Sequence, residues 1–327
     1  MTLRFSLAAV FMFCLLAAGE MILGNVTLSW HSLAQGLLEG PFSHQITARI
    51  LWLFRLPRLL LAFLTGATLA AAGALLQTAT RNPLADPFLF GLSAGASAGA
   101  VAVIIFMGNI AGIWTTTMGA AAGALCATTL LLALITRSAH SLPPQRIILT
   151  GLAVSFLFTS VTNFLIFQGD RNTAQSVLFW TLGSFSAASW SSLPVAALAL
   201  LLICTYGARF RKELDALLAG EDTATSLGVN VRTLRLSTLL LCALSCAMTV
   251  ALCGPVGFLG LVVPHLARFM TGNTLKHMFF PAAILGGLTA MLADLLSHSL
   301  FAAQEIPTGI LISGAGACFF LLYLRKI

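Results

Sequence analysis

The sequence predicts an all-α polytopic membrane protein with about ten transmembrane helices. Three observations carry this. Of 327 residues, 58% are hydrophobic and 8% are charged, against roughly 25% charged in a soluble domain. The mean hydropathy is +0.97. The apolar residues form unbroken runs of about 20, the length of a helix across a bilayer, rather than the alternation of a membrane strand. Lipid offers no partner to a backbone N–H or C=O, so such runs satisfy their own backbone as helices. The whole chain, 1–327, reads as a single transmembrane domain.

Spans are expected at 5–24, 56–79, 89–107, 113–136, 147–168, 191–208, 232–252, 255–271, 279–298 and 306–324. The first follows Arg4, and Ala17-Ala18-Gly19 has the small-residue look of a signal cleavage site. Ten spans require that it be retained. With the N-terminus inside, thirteen of the 17 Lys+Arg fall on the inner side and four, Arg49, Arg55, Arg58 and Arg171, on the outer. That bias orients the chain with both termini in the cytoplasm. The net charge of +7 is then a topology signal, and it gives no case for nucleic acid.

Residues 25–54 form an outer loop with Trp30, Trp52 and Phe54 suited to the interface. Span 2 opens at Arg55-Leu56-Pro57-Arg58, with proline tolerated in a first helical turn. Arg55 and Arg58, three apart, share a face and make a local positive patch. They serve either as snorkelling anchors or as a dock for acidic residues of an extracytoplasmic partner. Ala62, Gly66, Ala70 and Ala74 on span 2, and Gly91, Gly95 and Gly99 on span 3, form stripes for close helix packing. The turn between them, Arg81-Asn82-Pro83-Leu84-Ala85-Asp86-Pro87, is stiffened by two prolines.

The 137–146 loop holds Pro144 and Gln145, and the 169–190 segment suggests a short helix at the outer mouth. Residues 209–231 are the long cytoplasmic loop. Leu214, Leu217 and Leu218 fall at helical spacing, Gly220 breaks that helix, and a second runs from Asp222 to Leu227 before Gly228. Two short amphipathic helices outside the membrane must cover their apolar faces on lipid, on their own protein, or on a cytoplasmic partner. Span 8 is short and broken by Pro255 and Pro264, which suggests a bent or partly interfacial helix. His265 and Arg268 could share a polar network at its inner end. Asp294 in span 9 is an intramembrane acid, either a proton site or a helix-to-helix hydrogen-bond partner.

Several chemistries lack their residues. The seven cysteines form no CxxC pair, so no disulfide framework or zinc site is indicated. No GxxxxGK[ST] loop occurs, and Lys212, Lys276 and Lys326 do not follow glycine. The chain therefore has no Walker site with which to hydrolyse ATP. HExxH and GxSxG are also absent. A transporter built this way takes its energy from another chain, or from a proton gradient through Asp294 as a secondary transporter.

The chain resembles the FecCD family of ABC-importer permeases over nearly its whole length. The resemblance is carried by Arg55-Leu56-Pro57-Arg58, the Arg81–Pro87 turn with Gly91, Ala219-Gly220-Glu221 with Leu227-Gly228, the Gly254–Arg268 run, Ala293-Asp294 and Glu305-Ile306-Pro307-Thr308-Gly309-Ile310. It implies a multi-pass permease subunit of a bacterial inner-membrane importer for Fe(III)-siderophore, with haem or cobalamin as alternatives. It further implies a second permease subunit, two ATPase subunits carrying ATP and Mg, and a periplasmic binding protein. No cofactor or metal is expected on this chain. Carried over by residue, Arg55 and Arg58 dock the binding protein, with His298 in place of a third basic position. Asn82 and Leu84 form an inner gate, joined by Pro144 and Gln145. Leu217, Leu218, Gly220, Glu221, Leu227 and Gly228 belong to coupling helices that meet the ATPase. His265, Arg268 and Asp294 are structural polar residues.

Overall fold

The computed structural model describes residues 3–24, 28–108, 110, 113–136, 144–169, 171–300 and 305–324. Among these there is no strand. The helices in chain order are α1 (Leu3–Ile22), α2 (Trp30–Glu39), α3 (Ile46–Ile50), α4 (Leu56–Ala79), α5 (Leu92–Phe106), α6 (Ile113–Thr136), α7 (Pro144–Gln168), α8 (Arg171–Thr181), α9 (Leu193–Ala219), α10 (Glu221–Ser226), α11 (Val231–Cys253), α12 (Leu259–Thr271), α13 (Leu275–Ser299) and α14 (Thr308–Leu324). A helix stands at each expected span. Among the described residues seven are long and apolar enough to cross a membrane, while α5, α12 and α14 are apolar but shorter. Residues 137–143 of the 137–146 loop and the topology residues Arg137, Arg325 and Lys326 lie outside the described residues, as does the side chain of Arg4.

The centre of the fold is α4. From Leu59 onward nearly all of it is buried, with Ala62, Ala70, Ala71, Ala72 and Ala74 fully so. A helix that is apolar on every side belongs in a core, and α13, α9, α11 and α12 surround this one. The small-residue stripes of spans 2 and 3 do make close contacts, but each with a different partner. On α4, Gly66 meets Gly286 and Ala290 of α13, and Gly73 meets Gly260 at the start of α12. On α5, Gly95 and Gly99 meet Gly119 and Gly123 of α6. Close approach needs a small residue on both helices at the same height, and those counterparts lie on α13, α12 and α6.

Three expected boundaries change. Span 2 does not start at Arg55-Leu56-Pro57-Arg58: the helix is continuous from Ile46 to Ala79. A π turn at Leu51–Arg55 joins α3 to α4, with the Leu56 N–H reaching back five residues to Leu51. This widened turn takes up the ring of Pro57 without ending the helix. Likewise, no separate helix lies around Leu214–Leu218, because α9 runs unbroken for 27 residues to Ala219. Nothing between Tyr206 and Gly220 stops it: there is no proline, Gly207 is packed against the Phe279 ring, and Arg209 pairs with Glu213 at 3.4 Å. Charged residues mark where a helix leaves lipid, not where it ends. Finally, α12 has only 13 residues and holds Pro264 within it.

Candidate functional site

At one end of the fold, where α1 and α13 finish and α4 and α14 begin, a charged cluster is built. Arg58 donates from Nε and Nη2 to both Asp294 oxygens, at 2.8 and 3.0 Å, and from Nη1 to Glu305 at 2.9 Å. Thr308 adds a hydroxyl donor to Asp294 at 3.1 Å. Asp294 is wholly buried and the Arg58 side chain is 15% exposed. A buried carboxylate is tolerable in a span when a guanidinium grips it bidentately and a further donor completes it. Asp294 is thus a joint between α13, α4 and α14. Arg55 donates to the Met21 carbonyl of α1. His298 is buried, with Nε2 3.5 Å from a Glu20 oxygen.

Arg55, Arg58 and His298 therefore do not form an open positive patch. Arg58 and His298 turn into the protein beside Glu20, Asp294 and Glu305, because an arginine at the start of a core helix finds the acids of its neighbours, while Arg55 stays half-exposed on the rim. Glu20, Asp294 and His298 offer ligand atoms within 4.8 Å of one another. The Asp294 oxygens are committed to Arg58 and Thr308, however, and the adjacent guanidinium repels a cation, so this trio does not suit a metal.

Arg55, Arg58, Glu20, His298 and Glu305 border a hollow of about 350 Å³. Glu305 and Ser186 also line a larger cleft of about 730 Å³ with Thr116, Thr117, Trp180, Ser184 and Cys253. Glu305 is part of the boundary between charged hollow and cleft. The cleft wall is mainly apolar, with aromatic faces, a few hydroxyls and one carboxylate, and offers many weak contacts and no tight grip.

At the other end lies the turn after α4. Arg81 adopts a left-handed backbone, φ 50°. Asn82 accepts from the Leu84 N–H at 3.0 Å, and Leu84 itself is 42% exposed. Asp86 caps the following 3-10 turn, Pro87–Phe90, by accepting from the Phe88 N–H at 2.8 Å. Burial pushes the Asp86 carboxyl up to about 6, opposed by that hydrogen bond. Beside the turn, Gln77 donates to the carbonyls of Gly260 and Leu261 at 2.9 and 3.2 Å. Pro264 has no N–H to offer the Gly260 carbonyl four residues earlier, and Gln77 supplies the missing donor. Pro144 is the first residue of α7, and Gln145 is exposed.

The segment expected to couple divides into inward and outward residues. Leu217 is fully buried and Leu218 half-buried, so Leu217 holds α9 to the body rather than facing a partner. Gly220, φ 137°, makes the corner into α10, and Gly228, φ 81°, ends it. Leu227 is 69% exposed. Glu221, the first residue of α10, accepts from Arg235 at 2.6 Å. Asp215 of α9 accepts from the Leu275 and Lys276 N–H groups at 2.6 and 3.3 Å, capping α13 from outside. On α12, half-buried His265 sets its ring edge-on to Phe319 at 6.4 Å, and Arg268 sits one turn on.

Sequence reasoning passed over Glu20, Arg235, Gln77 and Asp215. Glu20 carried a signal, being an acid within the first apolar run. The others looked like ordinary polar residues at span ends.

The FecCD transport family model matches residues 8–326. The hemin transport system permease protein HmuU of Yersinia pestis is 36% identical over 318 residues, covering 95% of this chain and 92% of its own length. The Fe(3+) dicitrate transport system permease protein FecD of Escherichia coli is 33% identical, covering 93% of each. Among solved structures, an inward-facing metal-chelate type ABC transporter superposes with TM-score 0.85 at 25% identity over the full length of both chains.

Proposed function

The chain belongs to the FecCD transport family, and from that premise we propose that it forms the membrane path for an iron chelate, a ferric siderophore first, handed over by an extracytoplasmic binding protein. It is a permease subunit of an ABC importer and a multi-pass membrane protein; hydrolysis belongs to a separate ATPase chain. The observation that carries the reading is the two-ended build. A charged hollow opens beside a mainly apolar cleft at one end, and an exposed helical corner, α10 with Leu227, stands at the other.

In this reading Arg55, on the rim of the hollow, meets acidic residues of the binding protein, with Arg58 behind it. Asn82 and Leu84 close the path, and α10 meets the ATPase. Two permease subunits and two ATPase subunits make the assembly, in a bacterial inner membrane with both termini cytoplasmic. The two named relatives concern hemin and ferric dicitrate, which supports an iron chelate. The pairing of Asp294 with Arg58 speaks against a proton-coupled carrier.

The test is reconstitution of the permease with its cognate ATPase and binding protein in proteoliposomes. Uptake of a ferric siderophore, haem and cobalamin is compared with and without ATP. ATP-dependent uptake of the siderophore is expected. Uptake of haem or cobalamin alone would replace the substrate, and uptake driven by a proton gradient without ATP would overturn the reading.

A further inference from the structure

Arg235 is 2% exposed, in the second turn of α11. Its two arms reach different parts of the protein. Nε donates to the carbonyl of Ala79, the last residue of α4, at 3.0 Å. Nη2 donates to Glu221, the first residue of α10, at 2.6 Å. One guanidinium thus joins the exposed helix α10 to the point where α4 gives way to the Asn82–Leu84 turn. Few other features hold α10. Apart from Ala224 its residues are exposed, including Glu221 at 46%.

We propose that Arg235 is a positioning residue that transmits displacement of α10 to the gate turn at the end of α4, through the Glu221–Arg235–Ala79 bridge. This rests on the reading of α10 as the coupling helix and Asn82–Leu84 as the gate. The physical case lies in the geometry of the guanidinium. It is planar and its donors are fixed relative to one another, so Glu221 cannot shift without turning the plane that also holds the Ala79 carbonyl. An ordinary buried ion pair would need only one of these partners. The helix end is also the compliant part of α4, because its last carbonyls have no partner within the helix. A pull on Ala79 is felt where Thr80 and Arg81 leave the helix, Arg81 in its left-handed conformation.

The experiment uses the full complex of permease, ATPase and binding protein in lipid. Spin labels are introduced as unnatural amino acids at the Ser226 and Leu84 positions, and distances between the two permease copies are followed on nucleotide addition. Transport per ATP is measured in parallel. In the parent both label pairs are expected to shift. In Glu221→Ala and Arg235→Lys the Ser226 pair still shifts, the Leu84 pair does not, and transport per ATP falls about fivefold or more. Glu221→Ala removes the acceptor at an exposed position and keeps the Ala79 arm, and Arg235→Lys keeps the charge but cannot span both partners, so both variants hold their fold. The double variant Glu221→Arg/Arg235→Glu restores an ion pair but gives Ala79 no donor, and stays uncoupled. A Leu84 shift of parental size in the single variants, or recovery of coupling in the double, overturns the relay. A parent in which the Leu84 pair shifts while the Ser226 pair stays fixed overturns the reading of α10 itself, and the relay with it.

Discussion

Single residues here are placed by what they would otherwise leave unsatisfied. Asp294 in an apolar span requires Arg58, and removing either partner from such a pair strands a buried charge at a cost of about 3–5 kcal/mol. Gln77 answers the carbonyl that Pro264 cannot serve. Asp86 is an unanswered case: one oxygen caps Phe88, while Oδ2 is buried without a partner. Its carboxyl value, about 6 against an ordinary 3.8, means the folded protein holds the proton more tightly than the unfolded chain. Stability therefore falls as pH rises from about 4 to about 6, and the full cost of the ionised group is present above that. Asp86→Asn keeps the acceptor for Phe88 and removes the charge. Thermal unfolding in detergent should show a flatter profile than the parent across this range and a higher Tm at neutral pH. Parallel profiles would show that Asp86 is not the cause.

Whole elements were legible in the sequence where hydropathy decides them and obscure where a neighbour does. Every expected span has its helix because the length of an apolar run is a property of the segment alone, although among the described residues seven are long enough to cross a membrane. The pairing of stripes was not legible: Gly66 is matched by Gly286, far along the chain, and nothing local to Gly66 names it. The charged cluster was half legible. Asp294 announced itself by its apolar surroundings, whereas Glu20, an acid within the first apolar run, was passed over. The continuation of α9 past Tyr206 was hidden because charges signal the membrane surface and not the helix end. Packing of this closeness makes a steric prediction. A Cβ on Gly73 would run into the backbone of Gly260, so Gly73→Ala should cost about 1–3 kcal/mol and loosen the Gln77 bonds. Gly314→Ala, with nothing within 4 Å, is the control and should be neutral. Unfolding of both variants in detergent distinguishes steric clash from a general intolerance of alanine.

At the scale of the molecule, the α9–α10 unit is fastened to the two helices that pack most closely. Asp215 caps the start of α13, and Glu221 reaches the end of α4 through Arg235. The opposite end of the molecule carries the charged hollow. There Arg55 is half-exposed and bonded to a main-chain carbonyl, while Arg58 is committed to two carboxylates. Arg55→Glu should therefore weaken association of the binding protein about tenfold or more, with a smaller effect of added salt than in the parent. Surface plasmon resonance on the reconstituted permease measures both, and unchanged affinity would remove Arg55 from the docking surface.

The unbroken α9 sets a length. Its 27 residues make a rod of about 40 Å, longer than the roughly 30 Å hydrocarbon layer. Just ahead of its first turn, Trp190 donates to the Trp52 carbonyl at 2.7 Å, inside the π turn that leads into Arg55. Its other end turns the corner into α10. Such a rod is a lever: tilting it by about 5° about one end carries the other through about 3.5 Å. One continuous element therefore ties the turn that carries Arg55 to the corner that carries α10.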